Sequence, residues 1–545
     1  MSDNKFEKLT EIRRRRLLQG LGGAGVASLA GCIDSLTGGS ADGGGKLKQA
    51  QVKSPVEFDP VVLNDVPSGE ITDQVFEGLY DYDEGTGHVP VLATGEPTVE
   101  NDGTRYTVEI EDGATFQNGD DVTAEDVKHS FLAPREEETE NANEVTMIDS
   151  ITAVDDKTVQ FDLKYPYGPF MHTLHRSIVP KSVREEDKEA FNTQEPVGSG
   201  PFEFIDWTEG EFVTLERYDD YWGEEQPNIS EIEFVPIEEA TTRVTTLRNG
   251  DNDVIKEIPP DLWGEVEDMD NAAIQDVPGI GYFYLAFNCK EGPTTDPKVR
   301  EAVDYTFSMD QAVSNFVEPT GLRQYSPLPK SLAEGWEMPL DEWQGIPHDK
   351  DIDEATALFE EAGMSMDYDW RIIVPPDDKR EQIGVTVGNG LQEAGFENVE
   401  VQRLDWGAFL DQYITGSEDD YNMYTLGWAG TPDPDAFTYF LLSRADDTLG
   451  VTNGTFWGDN SEAGKQASDK FIKARESADE EERQQLYQEG ITTALEERAH
   501  LPSYNLKNSW GVRNYVSDYA AHPVTPGFKL FTDYNNVSVD KESEE

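Results

Sequence analysis

The chain has 545 residues, with 110 Asp and Glu against 43 Lys and Arg, a formal charge of −67 at neutral pH. That length exceeds what one hydrophobic core usually serves, so two or three domains are expected. The acidic excess runs along the whole chain; it excludes nucleic acid as a partner, because phosphate binding needs the opposite sign of field, and it suits multimolar salt, where exposed charges interact over about 3 Å rather than about 10 Å at 0.1 M.

The chain opens on an export signal. Four arginines at 13–16 precede Leu17-Leu18, a Gly/Ala run and the sequence Leu29-Ala30-Gly31-Cys32. A basic run, a short apolar segment and a small-residue stop are the three parts of such a signal. Arg14 and Arg15 resemble the pair of a twin-arginine signal, and Leu-Ala-Gly-Cys resembles a lipobox, with Cys32 as the lipidated residue. Gly20-Leu21-Gly22-Gly23-Ala24-Gly25 fits a dinucleotide-binding pattern but lacks the strand–turn–helix context that pattern needs. Residues 1–31 are read as the signal and 32–46 as a flexible, Gly-rich tether. Loss of 1–31, with six basic and three acidic side chains, leaves a charge of −70. The expected location is the outer face of the cell membrane, held there by the lipid on Cys32. Cys289 then has no intrachain partner, and no disulfide framework is available. Sequons begin at Asn228, Asn453 and Asn536, permissible glycosylation sites on an exported chain.

Strand and helix signals alternate after the tether. Tyr106, Val108 and Ile110 alternate with polar residues, as do Ile232 with Phe234 and Val399 with Val401. Thr123-Ala124-Glu125-Asp126 predicts a capped helix start. Asp296-Pro297 predicts another, followed by one apolar stripe through Val299, Ala302, Val303, Phe307, Val313 and Phe316. Ile352, Ala355, Leu358, Phe359 and Ala362 form a stripe closed by Gly363; Ile383, Val387, Leu391 and Ala394 form one closed by Gly395. Between 281 and 430 the order is strand, helix, helix, strand, helix, strand, helix, strand, which predicts an α/β domain.

Catalytic motifs are few. The chain contains no G-x-S-x-G, H-E-x-x-H or G-x-x-x-x-G-K. His172 and His175 could share one helical face as metal ligands, but the preceding Tyr-Pro-Tyr-Gly-Pro reads as a structural corner, and no metal or other cofactor is expected. Ten tryptophans and 21 tyrosines are many for a hydrophilic chain. Trp207, Trp222, Trp406, Trp428 and Trp457 lie in stretches rich in Gly and Pro, either as core or as the wall of a cleft enclosing a small solute.

An ordered series of blocks then carries a resemblance. It runs Asp73-Gln74-Val75-Phe76-Glu77-Gly78-Leu79-Tyr80, Val89-Pro90-Val91-Leu92-Ala93, Asp102-Gly103-Thr104-Arg105-Tyr106-Thr107, Thr115-Phe116-Gln117-Asn118-Gly119 and Val122-Thr123-Ala124-Glu125-Asp126-Val127. Val197-Gly198-Ser199-Gly200-Pro201-Phe202, Tyr221-Trp222-Gly223, Asn249-Gly250-Asp251-Asn252-Asp253-Val254, Leu285-Ala286-Phe287-Asn288 and Val299-Arg300-Glu301-Ala302-Val303 complete it. The series resembles family 5 solute-binding proteins of ABC importers, the dipeptide, oligopeptide and nickel group, here as a haloarchaeal lipoprotein. The resemblance implies an α/β fold of the periplasmic-binding-protein type II kind with three lobes. Lobe I would comprise 47–75, 196–278 and 500–545, lobe II 76–195 and lobe III 279–499, with the solute between lobes I and III. It further implies that Asn64 and Val66 offer a strand to an extended ligand, that Tyr282, Tyr284 and Asn288 lie on the strand entering lobe III, and that Trp406 and Trp428 wall the pocket. Peptide-binding members carry an aspartate at about Thr431 to pair with the peptide ammonium. A threonine cannot supply that charge, and Asp433 is the one substitute nearby.

The expected function is thus that of an extracytoplasmic receptor for peptides or a related small polar solute, monomeric, not an enzyme, with an importer permease as partner. A receptor for a sugar or metal chelate, an extracellular carboxylate-dependent hydrolase, and a sensor or adhesion module that has lost transport stay open at this stage.

Overall fold

The computed structural model describes residues 45–444, 453–524 and 528–541. Arg14, Arg15, Cys32 and the tether up to residue 44 lie outside the described residues. The expected tether runs two residues too far: the first strand already begins at Gly45, where Gly45 faces Ile229 and Lys46 faces Glu231 in a parallel pair.

A 12-stranded sheet organises the described chain. Ten of its strands run in the order Val399–Arg403, Trp370–Val374, Met423–Ala429, Gly281–Phe287, His500–Arg513, Val254–Lys256, Gly45–Gln51, Ile229–Pro236, Phe212–Arg217, Phe202–Thr208, and Ala272–Pro278 and Gly321–Arg323 pair with His500–Arg513 off this path. The 14-residue strand His500–Arg513 serves both halves. Residues 500–504 pair with Gly281–Phe287, and residues 507–513 pair with Ala272–Pro278. The chain therefore passes between the halves at 279–280 and again near 505–506, side by side. Two adjacent extended crossings of this kind can flex with small φ/ψ changes while the sheets on either side stay packed.

Hydrophobic burial follows the same division. A large core gathers residues 282–504, a composite core takes its residues from 47–76, 133, 179–254 and 510–537, and an inserted core is built wholly from 79–178. The inserted core carries its own antiparallel sheet, ordered Thr98–Glu100, Arg105–Glu109, Thr158–Leu163, Ile148–Asp155, under the helix Ala124–Glu136. That helix starts as its sequence predicts: Thr123 accepts from Asp126 N, and the Asp126 carboxylate accepts from Thr123 N at 3.0 Å.

Four of the blocks that carry the family resemblance, at 73–80, 115–119, 197–202 and 221–223, meet one another at the joint between the composite and inserted cores. Glu77 is buried and accepts from Tyr221 Oη at 2.6 Å and Trp222 Nε1 at 2.9 Å. Gln117 donates to Gly200 O at 3.0 Å and Phe202 O at 2.8 Å, and accepts from Gly198 N at 3.1 Å. A Cβ on Gly198 would stand 1.9 Å from Val75 O, so only glycine fits there. The predicted long apolar stripe after Asp296 is two helices, Pro297–Asp304 and Met309–Phe316. Ser308 caps the second, and the Thr306 hydroxyl ends the first by bonding Val303 O at 2.7 Å, a competing local hydrogen bond that breaks the helical run. The other two stripes are the helices Ile352–Glu361 and Asp378–Glu393, each followed by a glycine at positive φ, +73° at Gly363 and +107° at Gly395.

Candidate functional site

Residues 59–66 turn into the helix Val66–Val75. Val66 is thus the first residue of a helix, not part of a strand that an extended ligand could pair with. Asp65 dictates this by capping Ser68 N at 3.0 Å, with Pro67 in the first turn. Asn64 and Val66 are exposed, and both line a cavity of about 330 Å³ between the composite and inserted cores.

The three positions expected on the strand entering the large core are all inside it. Tyr282 and Tyr284 are 0% and 3% exposed and stack at 4.8 Å; Tyr284 also stacks on His500 at 4.1 Å. Asn288 is buried, its amide donating to Tyr421 O at 3.2 Å and its oxygen accepting from Lys290 N and Glu291 N. These polar groups are spent within the core. The strand's outlying ring is Phe283, which stacks on Tyr504 at 4.5 Å.

The remaining expected positions, apart from Trp406, lie at the end of Met423–Ala429 and in the segment after it. Trp428 sits opposite Tyr282, stacks on Phe440 at 5.8 Å, and its buried indole N–H has no hydrogen-bond partner among the described residues. Trp406 is 47% exposed at the start of the helix Trp406–Tyr413. Thr431 is exposed, and its carbonyl accepts from Asp433 N at 2.8 Å. Asp433 itself is buried: it caps the helix Pro434–Leu442 through Asp435 N at 2.8 Å, and both its oxygens accept from Arg483 Nη2 at 2.8 Å. Its charge is therefore neutralised within the protein, which removes the reason for offering it as a substitute counter-ion at Thr431. Asp435 pairs with Arg475 beside it. Burial pushes Asp435 up to about 6 in spite of that arginine.

This charged pair of pairs is where the inserted core docks. Arg475 lies between the rings of Tyr439 at 4.1 Å and Tyr167 at 4.7 Å, and its carbonyl accepts from Gly168 N at 3.0 Å. The Tyr165-Pro-Tyr-Gly-Pro corner is structural as expected, and its surface is a seam to the large core.

Behind the seam lies a histidine group. His88 Nδ1 and His175 Nε2 are 2.7 Å apart, Tyr82 Oη and His172 Nδ1 3.0 Å, and His522 Nε2 meets Asp83 O at 2.8 Å. Burial drives His172 down to about 3 and His175 to about 2, and lowers His88, so all three are neutral at neutral pH. Among the described residues no set of three or more His, Cys, Asp or Glu is arranged to hold a metal ion. Sequence reasoning had the 172/175 pair but not His88, His522, Arg475 or Arg483. The usable signal for the arginines was their rarity, two cations beside Ala474 and Tyr487 in a chain with so few.

The chain matches the family model described as bacterial extracellular solute-binding proteins, family 5, over residues 87–448. It belongs to that family. The oligopeptide-binding protein AppA of Bacillus subtilis is 26% identical over 520 residues, 89% of this chain and 90% of AppA. The glutathione-binding protein GsiB of Pectobacterium atrosepticum is 26% identical over 452 residues, 79% of this chain and 83% of GsiB. The structure of Bacillus subtilis AppA in complex with a nonapeptide superposes with a TM-score of 0.72 at 23% identity, covering 91% of this chain and 99% of that one. The fold is thus the α/β fold of periplasmic binding proteins of type II, and the function is that of an extracytoplasmic solute-binding receptor of an ABC importer.

Proposed function

We propose that this receptor takes a peptide, or a related small polar solute, into the cleft between a lobe I of 47–75, 196–278 and 500–545 and a lobe III of 279–499, with 76–195 as lobe II. The strand His500–Arg513 carries the reading: it ties two separately cored halves through neighbouring crossings, the arrangement a clamp needs. A solute touching both halves only when they are shut favours the shut form, which the importer permease then recognises. Export through Arg14 and Arg15, lipidation at Cys32, a monomeric state and a working environment of multimolar salt belong to the same proposal, as does the absence of turnover. Asn64, Val66, Trp406, Trp428 and Thr431 are its solute-facing residues. Tyr282, Tyr284, Asn288 and Asp433 support it from behind, through packing and the Arg483 pair.

Small-angle X-ray scattering in 3 M KCl tests the clamp. A random tetrapeptide pool is expected to lower the radius of gyration. A radius unchanged by peptides, sugars and metal chelates alike would overturn the proposal.

A further inference from the structure

Four of the chain's seven histidines gather around one tyrosine of the inserted core. The ring of Tyr82 lies 4.1 Å from that of His175, 5.9 Å from His172, 6.1 Å from His88 and 6.3 Å from His522. His88 Nδ1 and His175 Nε2, 2.7 Å apart, are joined by one hydrogen; with both rings protonated, N–H would face N–H and the bond would be lost. Among the described residues the histidines paired with carboxylates are His129, with Glu185, and His348, with Glu301. None of the four around Tyr82 has such a partner to hold an imidazolium in place.

The group touches both places where shutting the clamp changes contacts. Tyr82 packs with Ile280 and Val524 in a small buried cluster, and Ile280, on the crossing between the halves, donates its N–H to Pro523 O at 3.2 Å. His172 stands on the helix Phe170–Thr173, directly after the Tyr167–Gly168 corner that meets Arg475 of the large core. Charged and titratable groups face the histidines from three sides: Asp81, Asp83 and Glu96 from the inserted core, Asp433 and Arg483 from the large core, and Lys529 and Tyr534 from the C-terminal segment. Lys529 is spent on Asp81 at 2.6 Å, and Arg483 on Asp433.

We propose that this histidine group is an acid-operated release: its protonation parts the inserted core from the large core at the Tyr167–Arg475 seam and lets the clamp open, while the sheets on either side stay folded. The inference rests on the receptor reading, whose clamp it regulates. Burial behind the closed seam keeps His88, His172 and His175 neutral. Opening admits water and returns such a ring towards about 6.5. The contribution to closure is therefore complete above that value and is lost as pH falls below it. At pH 5 each ring so released favours the open form roughly thirtyfold.

Hydrogen–deuterium exchange of the unliganded chain in 3 M KCl, read by mass spectrometry from pH 7.5 to 5 and corrected for the intrinsic rate, tests the proposal. The seam is reported by the Gly168 amide, which donates to Arg475 O at 3.0 Å, and the inserted sheet by the amides of Arg105–Glu109 and Thr158–Leu163. Protection at Gly168 is expected to fall by about a hundredfold or more at pH 5 while that of the sheet holds, and the fall to shrink by about tenfold or more in His88→Gln. Protection at Gly168 that stays level, a fall with which the sheet keeps step, or a fall of full size in His88→Gln overturns the proposal. If His88→Gln does not fold, the profile of the parent chain decides alone. No solute enters this measurement, so its failure leaves the receptor standing, and a radius of gyration unmoved by every solute overturns the receptor whatever the histidines do.

Discussion

Replacing Asp433 by Asn separates two roles that one carboxylate could play. The side chains of Asp433 and Arg483 are 4% and 7% exposed, and both carboxylate oxygens take the same guanidinium nitrogen at 2.8 Å. Asparagine keeps an oxygen for the helix cap at Asp435 N, so Asp433→Asn removes charge and little else. Arg483 would retain Ala474 O at 3.2 Å, Tyr487 Oη at 3.5 Å and the face of Trp336 at 4.9 Å, none of them anionic. Stripping one partner from a buried ion pair costs about 3–5 kcal/mol, because the surviving charge stays desolvated. Urea unfolding followed by tryptophan fluorescence in 3 M KCl measures it. With a slope of about 3 kcal/mol per molar, the midpoint should fall by about 1 M or more. Arg483→Met should cost a similar amount, and the double variant clearly less than the sum, since the second substitution removes the charge the first left stranded. If Asp433→Asn unfolds within about 0.5 kcal/mol of the parent, below the range expected for a buried pair, yet binds peptide tenfold more weakly, the carboxylate is a solute counter-ion and the structural account fails.

Acid should loosen the fold through its buried histidines. His172, His175 and His500 are held near 3, 2 and 3 by burial, so their contribution is complete above the unfolded value of about 6.5 and is lost as pH falls toward 3. Three such groups give a slope of at most about 4 kcal/mol per pH unit; Asp435, raised to about 6, opposes it between pH 6 and 4 because there the folded state holds the extra proton. A urea midpoint in 3 M KCl that stays level from pH 7 to 5 would contradict this. Gly168→Ala probes the seam: its Cβ would lie 2.3 Å from Arg483 Nε, so the Tyr167 corner or the Arg483 side chain has to shift. Solute affinity by calorimetry should fall at least tenfold with the inserted core still folded, and unchanged affinity would mean the seam does not accompany binding.

The sequence was most legible where local chemistry decides. The Thr123–Asp126 box, the Asp296-Pro297 start and the stops at Gly363 and Gly395 are set by groups within a few residues of each other, and each stands where its pattern puts it. Gly45 joined the sheet against expectation because its partner, Ile229, is 184 positions away. The family blocks were legible for a different reason. Glu77 reaches Tyr221 and Trp222, Gln117 reaches Gly200, and Arg300 is buried with its guanidinium on Glu497 O at 2.8 Å and Thr294 O at 2.9 Å. These blocks are surfaces fitted to other parts of the chain, so the set identifies an architecture while carrying little information about the solute.

The same distinction explains why the candidate site was read unevenly. Asn288 closes a block, and Tyr282 and Tyr284 lie on the strand that leads into it; all three are buried. Asn64, Val66, Trp406 and Thr431 come from the stretches between blocks, and they are the exposed ones. The residues that sequence reasoning missed, His88, Arg176, Arg475 and Arg483, take their roles from partners brought in by other segments. Arg475 matters because Tyr167 arrives from the inserted core, more than 300 positions earlier, to cover it. In a receptor of this kind the scaffold is written in contacts among distant segments, and the residues left exposed lie in the stretches between blocks.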